Sequence, residues 1–178
     1  MMIMKSKGVL KIENVIRMSD GSFISLEEAT RVIPDTLFED TENKCEPLGI
    51  YKLIVNGNVF MDESFFDSII DMWGYFINAV EDFLNGDPAE IGFFDQPITL
   101  KMIPDRNQSV KLVLDPCVEP VRAVLVSRDS FLKEFVRAGY EFFRIWVDYD
   151  KARSEESVSS YFERIKKIES VANKELRI

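Results

Sequence analysis

The spacing of apolar residues changes period at Pro97, and this change restricts the fold more than any other feature of the sequence. On the N-terminal side, residues 62–86 read DESFFDSIIDMWGYFINAVEDFLNG. At about 100° per residue, Phe65, Phe66, Ile69, Ile70, Trp73, Phe76, Ile77, Val80, Phe83 and Leu84 share one broad side. Asp67, Asp71, Gly74, Asn78, Glu81 and Asp82 share the other. The spacing predicts one helix over 62–86, with Asp62 as its N-cap and Gly86 as its stop. After Pro97 the period becomes two. Ile98, Leu100 and Met102 alternate with Thr99 and Lys101; Val110, Leu112 and Leu114 follow; Val121, Ala123 and Leu125 then alternate with Arg122, Val124 and Val126. Turn-like breaks at 104–109 and 115–120 separate the runs, so this half predicts a three-stranded antiparallel meander.

The flanking segments extend both patterns. Residues 9–18, VLKIENVIRM, predict a strand, with a turn at Asp20-Gly21 and a short return over 22–24. Ser25 and Glu28 match a capping box opening a short helix that Pro34 stops. Residues 35–48 carry several carboxylates without periodicity and read as an exposed acidic loop. Asn56-Gly57 within 50–61 signals a second hairpin. Helical spacing returns over 129–149, where Phe131, Leu132, Phe135, Val136, Phe142, Phe143 and Trp146 oppose Lys133, Glu134, Arg137, Glu141, Arg144 and Asp148. A last helix is predicted from 154 to 176, with Val158, Phe162, Ile165, Ile168 and Ala172 on its apolar face. The expectation is one α+β domain over residues 1–178. It comprises an antiparallel sheet (hairpin plus three-stranded meander), two long amphipathic helices on one face, and a C-terminal helix.

A chain of 178 residues can bury one good core, and fourteen phenylalanines make that core largely aromatic. The net charge is −9, from 22 basic and 31 acidic residues. That charge disfavours phosphate backbones and anionic lipid, so neither nucleic acid nor membrane is expected as a partner; it favours a basic protein. Solubility alone also accounts for such acidity. The two cysteines, Cys45 and Cys117, form no CxxC pattern, and no secretory or membrane-spanning run is present; both observations predict a cytoplasmic protein. There is no histidine, which removes Ser-His-Asp and Cys-His nucleophiles and histidine zinc sites. No phosphate-cradling glycine motif occurs, and the 35–46 carboxylates lack the glycine of a calcium loop. Neither cofactor nor metal is expected.

Two sets of residues stand out as candidate contacts. Asp67, Asp71, Asn78 and Asp82 align along the predicted helix, whose polar face carries no Lys or Arg. They can meet a basic patch, or they can form the solvated back of an amphipathic helix. In the loop before the meander, Phe93 and Phe94 precede Asp95-Gln96-Pro97. Adjacent side chains on an extended chain point oppositely, so one phenylalanine enters the core and the other is exposed. Asp95 either starts the strand as a turn residue or, flanked by apolar residues, serves a carboxylate-dependent site.

Over residues 50–147 the order is hairpin, acidic helix, aromatic loop, meander and amphipathic helix, with FFDQPITLKM followed by SRDSFLKEFV. In this order of elements the chain resembles the small acidic immunity proteins that accompany bacterial polymorphic toxins. The resemblance implies a non-catalytic role, tight binding to a cognate toxin that covers its active site, and carries over no individual residue. The leading expectation is therefore a non-catalytic cytoplasmic protein-binding module, an immunity or inhibitor protein with a basic partner. The contact residues would be Asp67, Asp71, Asn78, Asp82, Phe94 and Asp95. The alternatives are a small carboxylate-dependent hydrolase or small-molecule binder with a pocket near Asp95, and a homo-oligomer subunit whose second sheet face, bearing Val124 and Val126, is covered by a neighbour.

Overall fold

A computed structural model describes residues 8–32, 47–106, 108–117, 120–149 and 155–175. In chain order the elements are β1 (Leu10–Arg17), β2 (Phe23–Ser25), α1 (Leu26–Val32), β3 (Leu48–Val55), β4 (Asn58–Met61), a 3-10 turn (Glu63–Phe65), β5 (Asp67–Ser68) and α2 (Ile69–Leu84). There follow β6 (Ala89–Gly92), β7 (Thr99–Asp105), β8 (Ser109–Asp115), β9 (Arg122–Ser127), α3 (Arg128–Tyr149) and α4 (Glu155–Glu175). The chain is an α+β protein, as its periodicities predict. The acidic loop expected over 35–48 falls almost wholly outside the described residues, as does Cys45.

The strands divide between two antiparallel sheets rather than one. The first has the order β2-β1-β3-β4, with β5 also on β3; the second runs β6-β7-β8-β9. They meet where Gly8 bridges Val126 in parallel, with Gly8 N–H on the Leu125 carbonyl at 3.0 Å. Asn56 and Gly57 take φ of 52° and 78°, the paired positive values of a tight hairpin between β3 and β4. Strand β6 is an addition to the expected meander. Its pattern is only four residues long, and Ala89 and Ile91 alone face inward.

Both long helices pack against strands of both sheets, and α4 packs outside them on α2 and α3. Trp73 of α2 is the hub: its rings lie 5.6 to 6.1 Å from those of Tyr51, Phe76, Phe135, Phe142 and Phe143. Its indole N–H donates to Asn14 Oδ1 at 2.9 Å, and Asn14 Nδ2 donates to the Ala138 carbonyl at 2.9 Å. One buried amide thus ties β1, α2 and α3 together. Gly139 lets α3 approach its neighbours, because a Cβ there would stand 2.8 Å from Ile165 Cδ1 and 3.3 Å from Trp73.

The edge of β1 beyond β2 is finished by side chains. β2 pairs only with Val15, Ile16 and Arg17. Further along, Leu10 N–H donates to Ser130 Oγ and Ile12 N–H to Glu134 Oε1, each at 3.0 Å, and Arg137 donates to the Ile12 carbonyl. These α3 groups do what a neighbouring strand would do for an otherwise open edge.

The segment 62–86 differs from the single predicted helix. Asp62 caps the 3-10 turn, accepting from Ser64 N–H at 3.0 Å, and α2 begins at Ile69. Ser68 is the true N-cap, its Oγ accepting from Asp71 N–H at 3.4 Å. The helix cannot start earlier because Asp67 and Ser68 pair with Gly49 and Leu48 of β3. Its end agrees with the expectation: Gly86 adopts φ of 93° and donates to the Phe83 carbonyl. Val124 and Val126 also differ from the reading of an outer face. Both are buried in the core, and the half-buried Ala123 and Leu125 face outward.

Candidate interaction surface

The six residues singled out in the sequence separate into two places. Asp67 lies in β5, is only 4% exposed, and therefore does not belong to a solvent-facing stripe. Asp71 and Asn78 are exposed on α2, in its first and third turns, and Asp82 is exposed in its last turn. The helical phase grouped Asp67 with them because it is four residues from Asp71; the break at Ser68 removes it.

Asp67 instead organises the β6–β7 connection. Its Oδ1 accepts from Ser68 N–H at 2.8 Å, and its Oδ2 accepts from the N–H groups of Phe94 and Asp95 at 2.6 and 3.2 Å. Three main-chain donors satisfy a buried carboxylate well. Around the same loop, Gln96 Nε2 donates to the Phe66 carbonyl at 2.8 Å, Phe93 N–H to the Ile98 carbonyl at 3.1 Å, and Ile98 N–H to the Gln96 carbonyl at 2.8 Å. Phe93 is buried, as the alternation argument requires of one of the pair, and Phe94 is 77% exposed. Asp95 is exposed beside it. The arrangement presents one aromatic ring and one carboxylate on a loop whose backbone is fixed at several points.

Tyr51 lies under this region. It is fully buried, its hydroxyl has no hydrogen-bond partner among the described residues, and burial raises its pKa far above the usual phenol value, with the Asp67 charge adding to the effect.

The acidic face of α2 is met from within the chain. Arg164 of α4 donates to Glu81 at 2.7 and 3.1 Å and to Asn78 Oδ1 at 2.5 Å. The hydrogen bonds to Glu81 hold the guanidinium pKa above its already high value. A small cleft of about 130 Å³ is lined by Asp71, Gly74, Tyr75, Asn78, Tyr161 and Arg164. Counting charges along α2 alone cannot reveal a cation contributed by a helix more than eighty residues away.

A larger groove of about 440 Å³ lies between β1, the β2–α1 corner and α3. Its walls carry Glu13, Glu27, Glu28, Glu63, Arg137 and Glu141. Glu63 pairs with Lys52 at 2.7 Å, Glu141 with Arg137 at 3.0 Å, Glu13 with Lys11 and Glu27 with Arg31. Asp95 lines neither this groove nor the cleft. Among the described residues no cluster of three Asp, Glu or Cys side chains is placed to hold a metal ion, and no helix is long and apolar enough to cross a membrane. Comparison with protein-family models, with curated proteins and with solved structures gave no match.

Proposed function

We propose that this chain is a protein-binding module that presents Phe94 and Asp95 to a basic partner protein, in the manner of an immunity or inhibitor protein. The carrying observation is the clamp of Asp67 on the main-chain N–H groups of Phe94 and Asp95. A large ring held out at 77% exposure gains nothing for the stability of the chain, whereas a loop already ordered loses little freedom on binding. The net charge of −9 favours a basic partner and speeds its approach. Asp71 lies in the first turn of α2, close in sequence to the Phe66 and Asp67 anchors of the loop, and extends the same acidic end. Asn78 and Asp82 lie further along the helix, and Asn78 is already engaged by Arg164.

Two observations favour this reading over a hydrolase. Asp95 is exposed on a loop rather than opposed to another carboxylate across a cleft, and four of the carboxylates in the larger groove are held in ion pairs. An exposed free thiol at Cys117 accords with a reducing, cytoplasmic setting.

The test is a pull-down with the product of the adjacent gene. A complex weakened about tenfold or more by Phe94→Ala, and separately by Asp95→Lys and by added salt, is the expected result. A complex indifferent to all three, or none at all, would count against the proposal.

A further inference from the structure

Among the described residues, no strand pairs with the outer edge of β6. β6 ends its sheet, and Phe93 N–H donates across to the Ile98 carbonyl, so Phe93 faces β7. Alternation along an antiparallel strand turns the main-chain groups of Ala89 and Ile91 toward β7 as well. Those of Glu90 and Gly92 then face away from the sheet. Both residues are exposed, and a Cβ added to Gly92 would meet nothing within 4 Å. Elsewhere, side chains of α3 finish β1 beyond β2, and Gly8 bridges β9 at Val126.

Charge decides between occupants. Asp87, Glu90 and Asp95 are exposed before, within and after this strand, and the neighbouring Lys101 is paired with Glu90 at 3.1 Å. A second copy of the chain would bring the same carboxylates into register with themselves. An extended basic segment would meet them with opposite charge.

We infer that β6 accepts an extended, basic segment of the partner protein as an added strand. The N–H and C=O groups of Glu90 and Gly92 make the main-chain bonds, and Phe94, two residues on, stands at the end of the added strand. This mode rests on the reading of Phe94 as a contact residue and adds to it how the partner's backbone is held.

The probe is a peptide of about eight residues alternating Lys and Val, long enough to pair with all of β6. It is added to the full chain while amide exchange is followed by NMR. The expected result is slowing of about tenfold or more at the Glu90 and Gly92 amides, with binding weakened by salt. Gly92→Pro removes one outward donor, is tolerated at a solvent-facing edge, and should weaken binding about tenfold. Binding that leaves both amides unchanged, or no binding at about 1 mM peptide, overturns the inference. So does protein-concentration-dependent slowing of the same amides without peptide, which would mean that a second copy occupies the edge. If Phe94→Ala weakens the pulled-down complex while Gly92→Pro does not, the contact reading stands and strand addition falls. If neither substitution matters to that complex, both fall.

Discussion

The Asp67 carboxylate holds the main-chain N–H of Phe94 at 2.6 Å, joining residues 27 apart in sequence and fastening the second sheet's loop to the first sheet's short fifth strand. Asp67 is buried and accepts three N–H donors, so Asp67→Ala should cost about 3 kcal/mol in urea unfolding. Amide exchange at Phe94 and Asp95 should accelerate with it. Phe94→Ala should change stability by less than about 0.5 kcal/mol, because that ring is mostly in solvent. A loop whose exchange is unaltered by Asp67→Ala would mean that the other anchors suffice.

Tyr51 should behave oppositely to most core residues. Burial, with help from Asp67, lifts its pKa above the ordinary 10.0, so the folded chain keeps a proton that the unfolded chain releases. The contribution is therefore intact below pH 10.0 and declines as pH rises beyond it, by about 1.4 kcal/mol per unit. Tyr51→Phe should remove that alkaline decline. At pH 7 it should leave stability unchanged or raise it by up to about 1 kcal/mol, since the hydroxyl has no hydrogen-bond partner among the described residues. Urea midpoints at pH 7 and near pH 11 make the comparison; a clear loss at pH 7 would contradict it.

Asn14 and Trp73 should be energetically coupled. Removing the amide with Asn14→Leu leaves the buried indole N–H without a partner and takes away the extra side-chain donor to the mid-helix Ala138 carbonyl, at about 3 kcal/mol. Once Trp73→Phe has already deleted the indole N–H, the same change should cost less. A double-mutant cycle is expected to give a coupling of about 1 to 2 kcal/mol, and additivity would mean that the amide acts on each helix independently.

Docking of α4 should depend on its apolar stripe more than on its ion pair. Arg164 and Glu81 are each about a third exposed (29% and 32%), so solvent screening limits Arg164→Ala to about 1 kcal/mol or less. Ile165 is fully buried against Gly139, and Ile165→Ala should cost about 3 kcal/mol. Denaturation with and without 1 M salt (Debye length about 3 Å) separates the two contributions, and a larger salt effect than apolar effect would reverse the ranking.

The long-range pattern in the sequence was legible because it repeats. The stripe from Phe131 to Trp146 located α3, the pair Asn56-Gly57 located a hairpin, and the Ser25–Glu28 spacing located the start of α1, where Glu28 N–H reaches Ser25 Oγ at 3.1 Å. What escaped was decided by distant pairing. Asp67 sits in helical phase with Asp71, and only its ladder to Gly49 takes it out of the helix. Ser68 with Asp71 three residues on is a local cap signal that could have marked the break, but Asp62 offered an equally good one. Of the candidate site, the split between Phe93 and Phe94 followed from alternation alone. The carboxylate that fixes their loop, and the Arg164 that covers part of the acidic helix, come from elsewhere in the chain and leave no local trace.

The use of α3 to finish the edge of β1 also sets an order in time. Leu10 and Asn14 find their partners 120 and 124 residues later, at Ser130 and Ala138. A ribosome adds that length in on the order of ten seconds. Until then β1 is a half-bonded ribbon, and we expect the Leu10 and Ile12 amides, which α3 side chains accept, to stay unprotected in stalled nascent chains ending before α3. Strand β1 is made well before the helix that completes it, and its closure reports that α3 has arrived.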